Sequence, residues 1–310
     1  MTRAQPLPAG LSDPSFTLAR ARNLGLRRSR LRAKDLQTPS REIRVRKGTD
    51  IDLADRCRPY VELLPGGFLS HGTAAQLHGM PLPREIRLES AIHLSRPRSF
   101  AVPRRKGIAG HRLVVTASEL STVSGLPVTS LSRTLLDLSD GVSMEALVIA
   151  GDWMVSEHRR NFGRRRIALL PLPELRAYLD AKAGVPGLRK IRTAVDLMRV
   201  GVDSPQETRV RLLLYRAGLP EFAPNTPVMD GTGNPALWVD LGCERYRTCI
   251  EYDGGHHLNP GQQSRDNHRD LLTHELGWHQ VKLNKYDLAQ GSLWVVAKVR
   301  QALIKGGYVP

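Results

Sequence analysis

Apolar positions in this 310-residue chain change period several times, and each change marks an element. FTLARARNLGL, from Phe16, has helical spacing and meets a turn residue at Gly25. Ser29 then caps a second short helix, predicted over Arg30–Leu36. REIRVRKG changes to period two, with Ile43 and Val45 set against Arg44 and Arg46, as in a strand or wing. Further on, FLSHGTAAQLHGMPLP predicts a cap at Ser70, a helix through His78 and a stop at Gly79 and Pro81. IRLESAIHLS and HRLVVTASEL read as strands around the basic loop RPRSFAVPRRKG, and VTSLSRTLLDLSD starts another helix. Residues 151–203 read as a basic helical connector, punctuated by Pro171, Pro173, Pro186 and Gly187, with a domain boundary near residue 200.

The best-signed element follows. Ser204 caps, Pro205 occupies the first helical position, Glu207 the third, and Val210, Leu213 and Leu214 recur at helical spacing. An extended stretch over 221–228 meets the hairpin dipeptide Asp230-Gly231. Two more strands are predicted at 236–241 and 248–252, a helix at 263–276 ended by Gly277, a strand at 278–283 and an amphipathic helix at 288–304. The predicted order is α-β-β-β-α-β-α, a central sheet flanked by helices. The whole chain is thereby expected to be α+β or α/β, with residues 1–15 a disordered tail.

Composition adds charge to this picture. Forty-six Lys and Arg against 30 Asp and Glu leave a net +16. Residues 1–50 hold twelve Lys and Arg against four Asp and Glu, a net +8. A field of that sign concentrates polyanions, and nucleic acid is the usual one. Helix, glycine turn, basic helix and basic strand over 16–60 suggest a winged helix-turn-helix offering Arg27, Arg28, Arg30 and Arg32 to DNA. No stretch is long and apolar enough to span a bilayer, and MTRAQPLPAGLSDPS has no signal-peptide core, so a cytoplasmic protein with no membrane partner is expected. Cys57, Cys243 and Cys249 form no CxxC pair and support neither a disulfide framework nor a thiolate zinc site. His71 and His78, seven apart, read as packing or capping residues.

Candidate chemistry gathers around CIEYDGGHH, residues 249–257. Asp240 closes one strand and Glu251 the next, and adjacent strand ends can bring two carboxylates to one spot. Such oxygens hold Mg²⁺ or Mn²⁺, which neutralises a phosphate and lowers the pKa of a bound water. Asp253 shares a strand face with Glu251 by the two-residue period. Gly254-Gly255 leaves room for a sugar-phosphate backbone, with His256 and His257 following; His257 is placed to act as general base or acid. Each group taken singly is also what an ordinary solvent-facing strand end carries. It is their convergence that points to a metal site.

WVDLGCERYRTCIEYDGGHH, then DNHRDLLTHELGW and VKLNKYDL, resembles the very-short-patch-repair (Vsr)-like branch of the PD-(D/E)xK, or restriction-endonuclease-like, superfamily. The similarity, over residues 204–305, is greatest to a domain-of-unknown-function family whose hallmark runs D…(V/I)ExDG..H…D..R…L…GW. The resemblance implies an αβββαβα core with a mixed sheet and a Mg²⁺- or Mn²⁺-dependent DNA endonuclease. It assigns Asp240 and Glu251 as core acidic residues, Asp253 and His257 to the DG..H element, Asp266 and Arg269 to the D..R helix with the arginine on phosphate, and Glu207 as the first-helix glutamate. The superfamily lysine is replaced by Asp253; the Vsr-like branch lacks it too, and Lys282 is a candidate to supply the charge. Residues 16–150, through FTLARARNLGLRRSRL, FLSHGTAAQLHGMPLP and GLPVTSLSRTLLDLS, resemble AbiE-type antitoxins. That second resemblance implies a winged-helix and α+β region, a cognate toxin as partner, and an alternative function: a DNA-binding transcriptional regulator with a catalytically inactive nuclease fold.

Overall fold

A computed structural model of the protein describes residues 6–158, 165–253 and 260–310, with the side chains of 260–266 outside the described set. It is a mixed α/β chain of two compact units, Met1–Gly141 and Val142–Pro310.

In the first unit, β1 (Ser15–Thr17), β2 (Leu36–Gln37) and β3 (Ile43–Arg46) form an antiparallel sheet in the order β1-β3-β2. Helix α1 (Leu18–Asn23) is capped by the Thr17 side chain, which accepts the Arg20 N–H, and it ends before Gly25 at φ +80°. The helix predicted over Arg30–Leu36 does not form. Arg30–Arg32 makes a single 3₁₀ turn, and Leu36 is buried in β2 opposite Arg46. Arg30 reaches both oxygens of Asp35 at 2.9 and 2.7 Å, while the Asp35 carbonyl accepts the Lys47 N–H. An isolated helix this short is marginal, so pairing with β3 and burial beside Leu11, Phe16 and Leu31 prevail. The recognition helix of a winged helix-turn-helix is therefore absent from this stretch.

The rest of this unit comprises α2 (Leu53–Glu62), β4 (Phe68–Leu69), α3 (His71–Leu77), α4 (Arg84–Arg87), β5 (Ile92–Pro97), β6 (Ile108–Leu113), β7 (Leu120–Val123), β8 (Leu126–Thr129) and α5 (Leu131–Leu138). Its sheet runs β6-β5-β4-β8-β7, with β5/β6 and β4/β8 parallel and the other pairs antiparallel. The strand predicted from Ile86 begins only at Ile92, because Pro83 opens a one-turn helix that occupies Arg84–Arg87. Ile92, Leu94, Leu126 and Val128 pack with Cys57 and Tyr60 into the core.

The second unit starts with α6 (Met144–Val155), α7 (Leu172–Asp180), α8 (Leu188–Leu197) and α9 (Pro205–Arg216). The stretch read as a connector therefore lies in the same compact unit as the later sheet. There follow β9 (Ala223–Met229), β10 (Pro235–Cys243), β11 (Thr248–Asp253), α10 (Pro260–Glu275), β12 (His279–Asn284), α11 (Lys285–Ala289) and α12 (Ser292–Lys305). The sheet order is β12-β11-β10-β9, antiparallel except for β11/β12, which α10 joins as a parallel crossover. Val210 and Leu214 of α9 and Val295, Val299 and Leu303 of α12 cover one face, against Leu241, Ile250, Val281 and Leu283. Leu272 of α10 and Leu276 just after it pack on the cluster of Val239, Cys249 and Trp278. The single predicted C-terminal helix is two, because Gly291, at φ +98°, separates α11 from α12.

The three cysteines are free and buried. Among the described residues, no helix is long and apolar enough to cross a membrane.

Candidate functional site

The candidate site grows from an irregularity in β10. Strict alternation would keep residues 237, 239, 241 and 243 on one face. Instead Leu237 and Val239 join the cluster with Cys249 and Trp278, whereas Leu241 and Cys243 join the cluster of α9 and α12. The strand turns over at Asp240. The pairing with β9 keeps its register from Val239↔Thr226 to Leu241↔Pro224, stepping over Asp240 on β10 and Asn225 on β9, which sits at φ +51°. Asparagine tolerates that left-handed geometry better than most residues. Gly242 makes the distortion possible, since a β-carbon there would lie 2.6 Å from Thr226 Cβ.

Three acidic side chains come from the elements around this bend. Asp240 is 9% exposed, and its Oδ2 accepts the Tyr252 N–H at 2.9 Å. The β10–β11 ladder has just ended at Leu241↔Ile250, so one further step would set Asp240 opposite Glu251. Glu207 is 6% exposed, in the first turn of α9. The Ser204 hydroxyl accepts the Glu207 N–H at 3.2 Å, and Glu207 Oε2 accepts the Asp203 N–H at 2.9 Å, so the helix cap itself orients the carboxylate. Burial, and then the charge of Asp240, raise the Glu207 carboxyl to about 7. Glu251 is less enclosed. Its Oε1 accepts from Arg269 Nη2 at 2.8 Å, and the same nitrogen donates to the Trp238 carbonyl at 2.9 Å.

Other predicted residues fall at varied distances from this centre. Lys282 is the register partner of Glu251 on β12, yet its Nζ bonds Asp270 Oδ2 and the side chain is 52% exposed. Asp253 is exposed at the end of β11, opposite Asn284. Arg269 is directed to Glu251 rather than outward. His256 and His257 lie outside the described residues, as does the side chain of Asp266. Arg27, Arg28 and Arg32 are exposed in the first unit, whereas Arg30 is held by Asp35.

Among the polar clusters that escaped the sequence reading are one around Asp152 and one around His71. Asp152 on α6 holds Arg211 Nη2 at 2.7 Å and Thr208 Oγ1 at 2.8 Å, and its Oδ1 accepts the Arg199 N–H at 2.7 Å. His71 does not join His78, whose Nε2 bonds the Thr129 carbonyl; it stacks on His93 and His111 from two strands. Neither cluster has a local spacing signal, because each draws on separate elements. No family model matches this chain, and no curated protein matches it.

Proposed function

We propose that the Val142–Pro310 unit is a divalent-metal-dependent DNA endonuclease of restriction-endonuclease-like, Vsr-like type. The order from α9 through β12 supports that reading, as does the resemblance of residues 204–305. The observation that carries it is the pairing of Glu207 with Asp240 at the bend of β10: two buried carboxylates, one of which is raised to about 7 by burial first and by the charge of the other second. A place where buried acids repel is where a cation is most strongly favoured.

Asp240 and Glu251 would hold Mg²⁺ or Mn²⁺, which supplies charge for the phosphate and acidity for a bound water. The Tyr252 N–H orients Asp240, and Glu207 adds negative charge from α9. Lys282 and Arg269 bring cationic groups beside Glu251, suited to a phosphate once their partners exchange. The exposed Arg27, Arg28 and Arg32 add to the basic field that gathers DNA.

Purified protein should nick or cut DNA with Mg²⁺ or Mn²⁺ and be silent with EDTA. Asp240→Asn should lower cleavage by on the order of 10³-fold while DNA binding persists or strengthens, since a carboxylate without its metal repels phosphate. Wild-type protein that cuts no duplex, mismatched, nicked or single-stranded DNA with either metal overturns the assignment. Replacing Arg27, Arg28 and Arg32 together by alanine should reduce the log–log salt slope of DNA binding by about 3.

The Arg269–Glu251 ion pair favours a second reading, a DNA-binding regulator with a toxin partner, in which the arginine stands where a metal would. A footprint on the protein's own promoter together with no cleavage would select it.

A further inference from the structure

In the first unit three histidines from three elements meet: His71 at the start of α3, His93 on β5 and His111 on β6. One ligand-type atom of each lies within 4.8 Å of the other two. His93 and His111 are brought together because β5 and β6 run parallel with Leu94 opposite Gly110 and Ser95 opposite His111. His71 reaches them through a left-handed backbone, φ +48°, which is unfavourable for a side chain with a β-carbon and is found where a site constrains the chain.

The outward nitrogens of His93 and His71 already have partners. His93 Nε2 bonds Glu89 Oε2 at 3.0 Å, and His71 Nδ1 bonds the Ser70 hydroxyl at 2.9 Å, which in turn meets Ser95 Oγ at 2.6 Å. This leaves His93 Nδ1 and His71 Nε2 on the inside, and His93 Nδ1 lies 2.9 Å from His111 Nε2. A hydrogen-bonding partner on the far nitrogen is the arrangement that leaves the other nitrogen facing a metal in metal-binding histidines. We propose that His71, His93 and His111 bind one Zn²⁺-class cation, with a fourth position left to water.

Dimensions favour this. Tetrahedral Zn–N bonds of about 2.0–2.1 Å set ligand nitrogens about 3.3 Å apart, so the rings need only shifts of about 1.5 Å or less. The rings are stacked, with His71 and His111 centroids 3.9 Å apart and 18° between planes, so binding turns them about their terminal side-chain bonds to aim the lone pairs at one point. Terminal ring torsions are broad, which makes that turn easy. Borderline Zn²⁺ matches neutral imidazole better than Mg²⁺ or Ca²⁺, which prefer oxygen. The site belongs to the Met1–Gly141 unit and does not depend on the nuclease reading.

The test is Zn²⁺ titration of the full chain after EDTA treatment and dialysis, by calorimetry, with Co²⁺ as a spectroscopic probe. One equivalent should bind, and the Co²⁺ spectrum should lack thiolate charge-transfer bands. His93→Ala and His111→Ala should each weaken binding at least ~100-fold, and Glu89→Gln ~10–100-fold. Asp240→Asn should leave binding unchanged, which separates this site from the acidic one. Should the histidine variants fold poorly, imidazole ¹⁵N resonances of the wild type provide the second reading. Three rings should lose exchange broadening and shift together at one equivalent of Zn²⁺. Absence of stoichiometric binding, binding retained in His111→Ala, or resonances unmoved by Zn²⁺ would each overturn the proposal.

Discussion

Two buried carboxylates meet helix α9, and they are solved in opposite ways. Asp152 is fully enclosed, but Arg211, the Thr208 hydroxyl and the Arg199 N–H surround it. Glu207, on α9 itself, accepts the Asp203 N–H, donates its own N–H to the Ser204 hydroxyl and faces Asp240, a second carboxylate. Burial pushes both carboxyls up; around Asp152 a guanidinium and two further donors oppose it, whereas beside Glu207 the largest neighbouring charge adds to it. A compensated buried charge ties α6 to α9. A pair of like charges instead favours whatever brings a proton or a cation.

The comparison breaks most visibly at Asp152. Asp152→Ala leaves Arg211 buried without its carboxylate and should destabilise the second unit by about 3–5 kcal/mol. All four tryptophans, Trp153, Trp238, Trp278 and Trp294, lie in that unit, so urea unfolding followed by tryptophan fluorescence reports on it selectively. A loss below about 1 kcal/mol would mean that the clamp is not what holds α6 to α9.

Glu207→Gln should act in the other direction, by an amount that grows as pH rises from 4.5 towards 7. Its folded-state carboxyl stands at about 7 against an ordinary 4.5, so between those pH values the native state holds a proton that the unfolded chain has released. Wild-type stability contributed by this group is present below pH 4.5 and declines as pH rises through 7. The glutamine variant lacks that decline. At pH 8 it should exceed wild type by about 2–3 kcal/mol, and at pH 4.5 the two should coincide. Equal differences at both pH values would show that the Glu207 carboxyl is not raised in the folded state.

The smallest effect sharpens the contrast most. At pH 8, Mg²⁺ at about ten times its Kd should stabilise the wild type by about 1.4 kcal/mol through linkage. Asp240→Asn should abolish that gain. Glu207→Gln should reduce it, while a conservative Thr208→Val change at the Asp152 clamp should leave it intact. Stabilisation by Mg²⁺ that survives Asp240→Asn would place the ion elsewhere.

Much of the second unit was readable from local chemistry. Ser204, Pro205 and Glu207 mark the start of α9; Asp230 closes its turn through Thr232 and Asn234; and the strands fall within one or two residues of the alternating runs at 236–241 and 248–252. Caps, turns and period are properties of a few adjacent residues, so composition alone suffices to place them. The first unit was less legible. Arg30–Leu36 has helical residues, yet its fate was settled by an edge of β3 that the local sequence does not mention.

Candidate carboxylates at Asp240 and Glu251 were likewise visible as strand-end acids. That Arg269 grips Glu251, that β10 turns over at Asp240 and that Glu207 lies within its field were decided by packing. The same division separates the histidines. Each of His71, His93 and His111 is ordinary in its own segment, and only the parallel pairing of β5 with β6, with α3 laid beside them, brings the three together. Sequence by itself determined the element types of most of the second unit and the basic charge, since propensity, capping and ionisation act within a few bonds. The tertiary structure alone decided which charges are compensated, because that depends on distances between residues far apart in the chain.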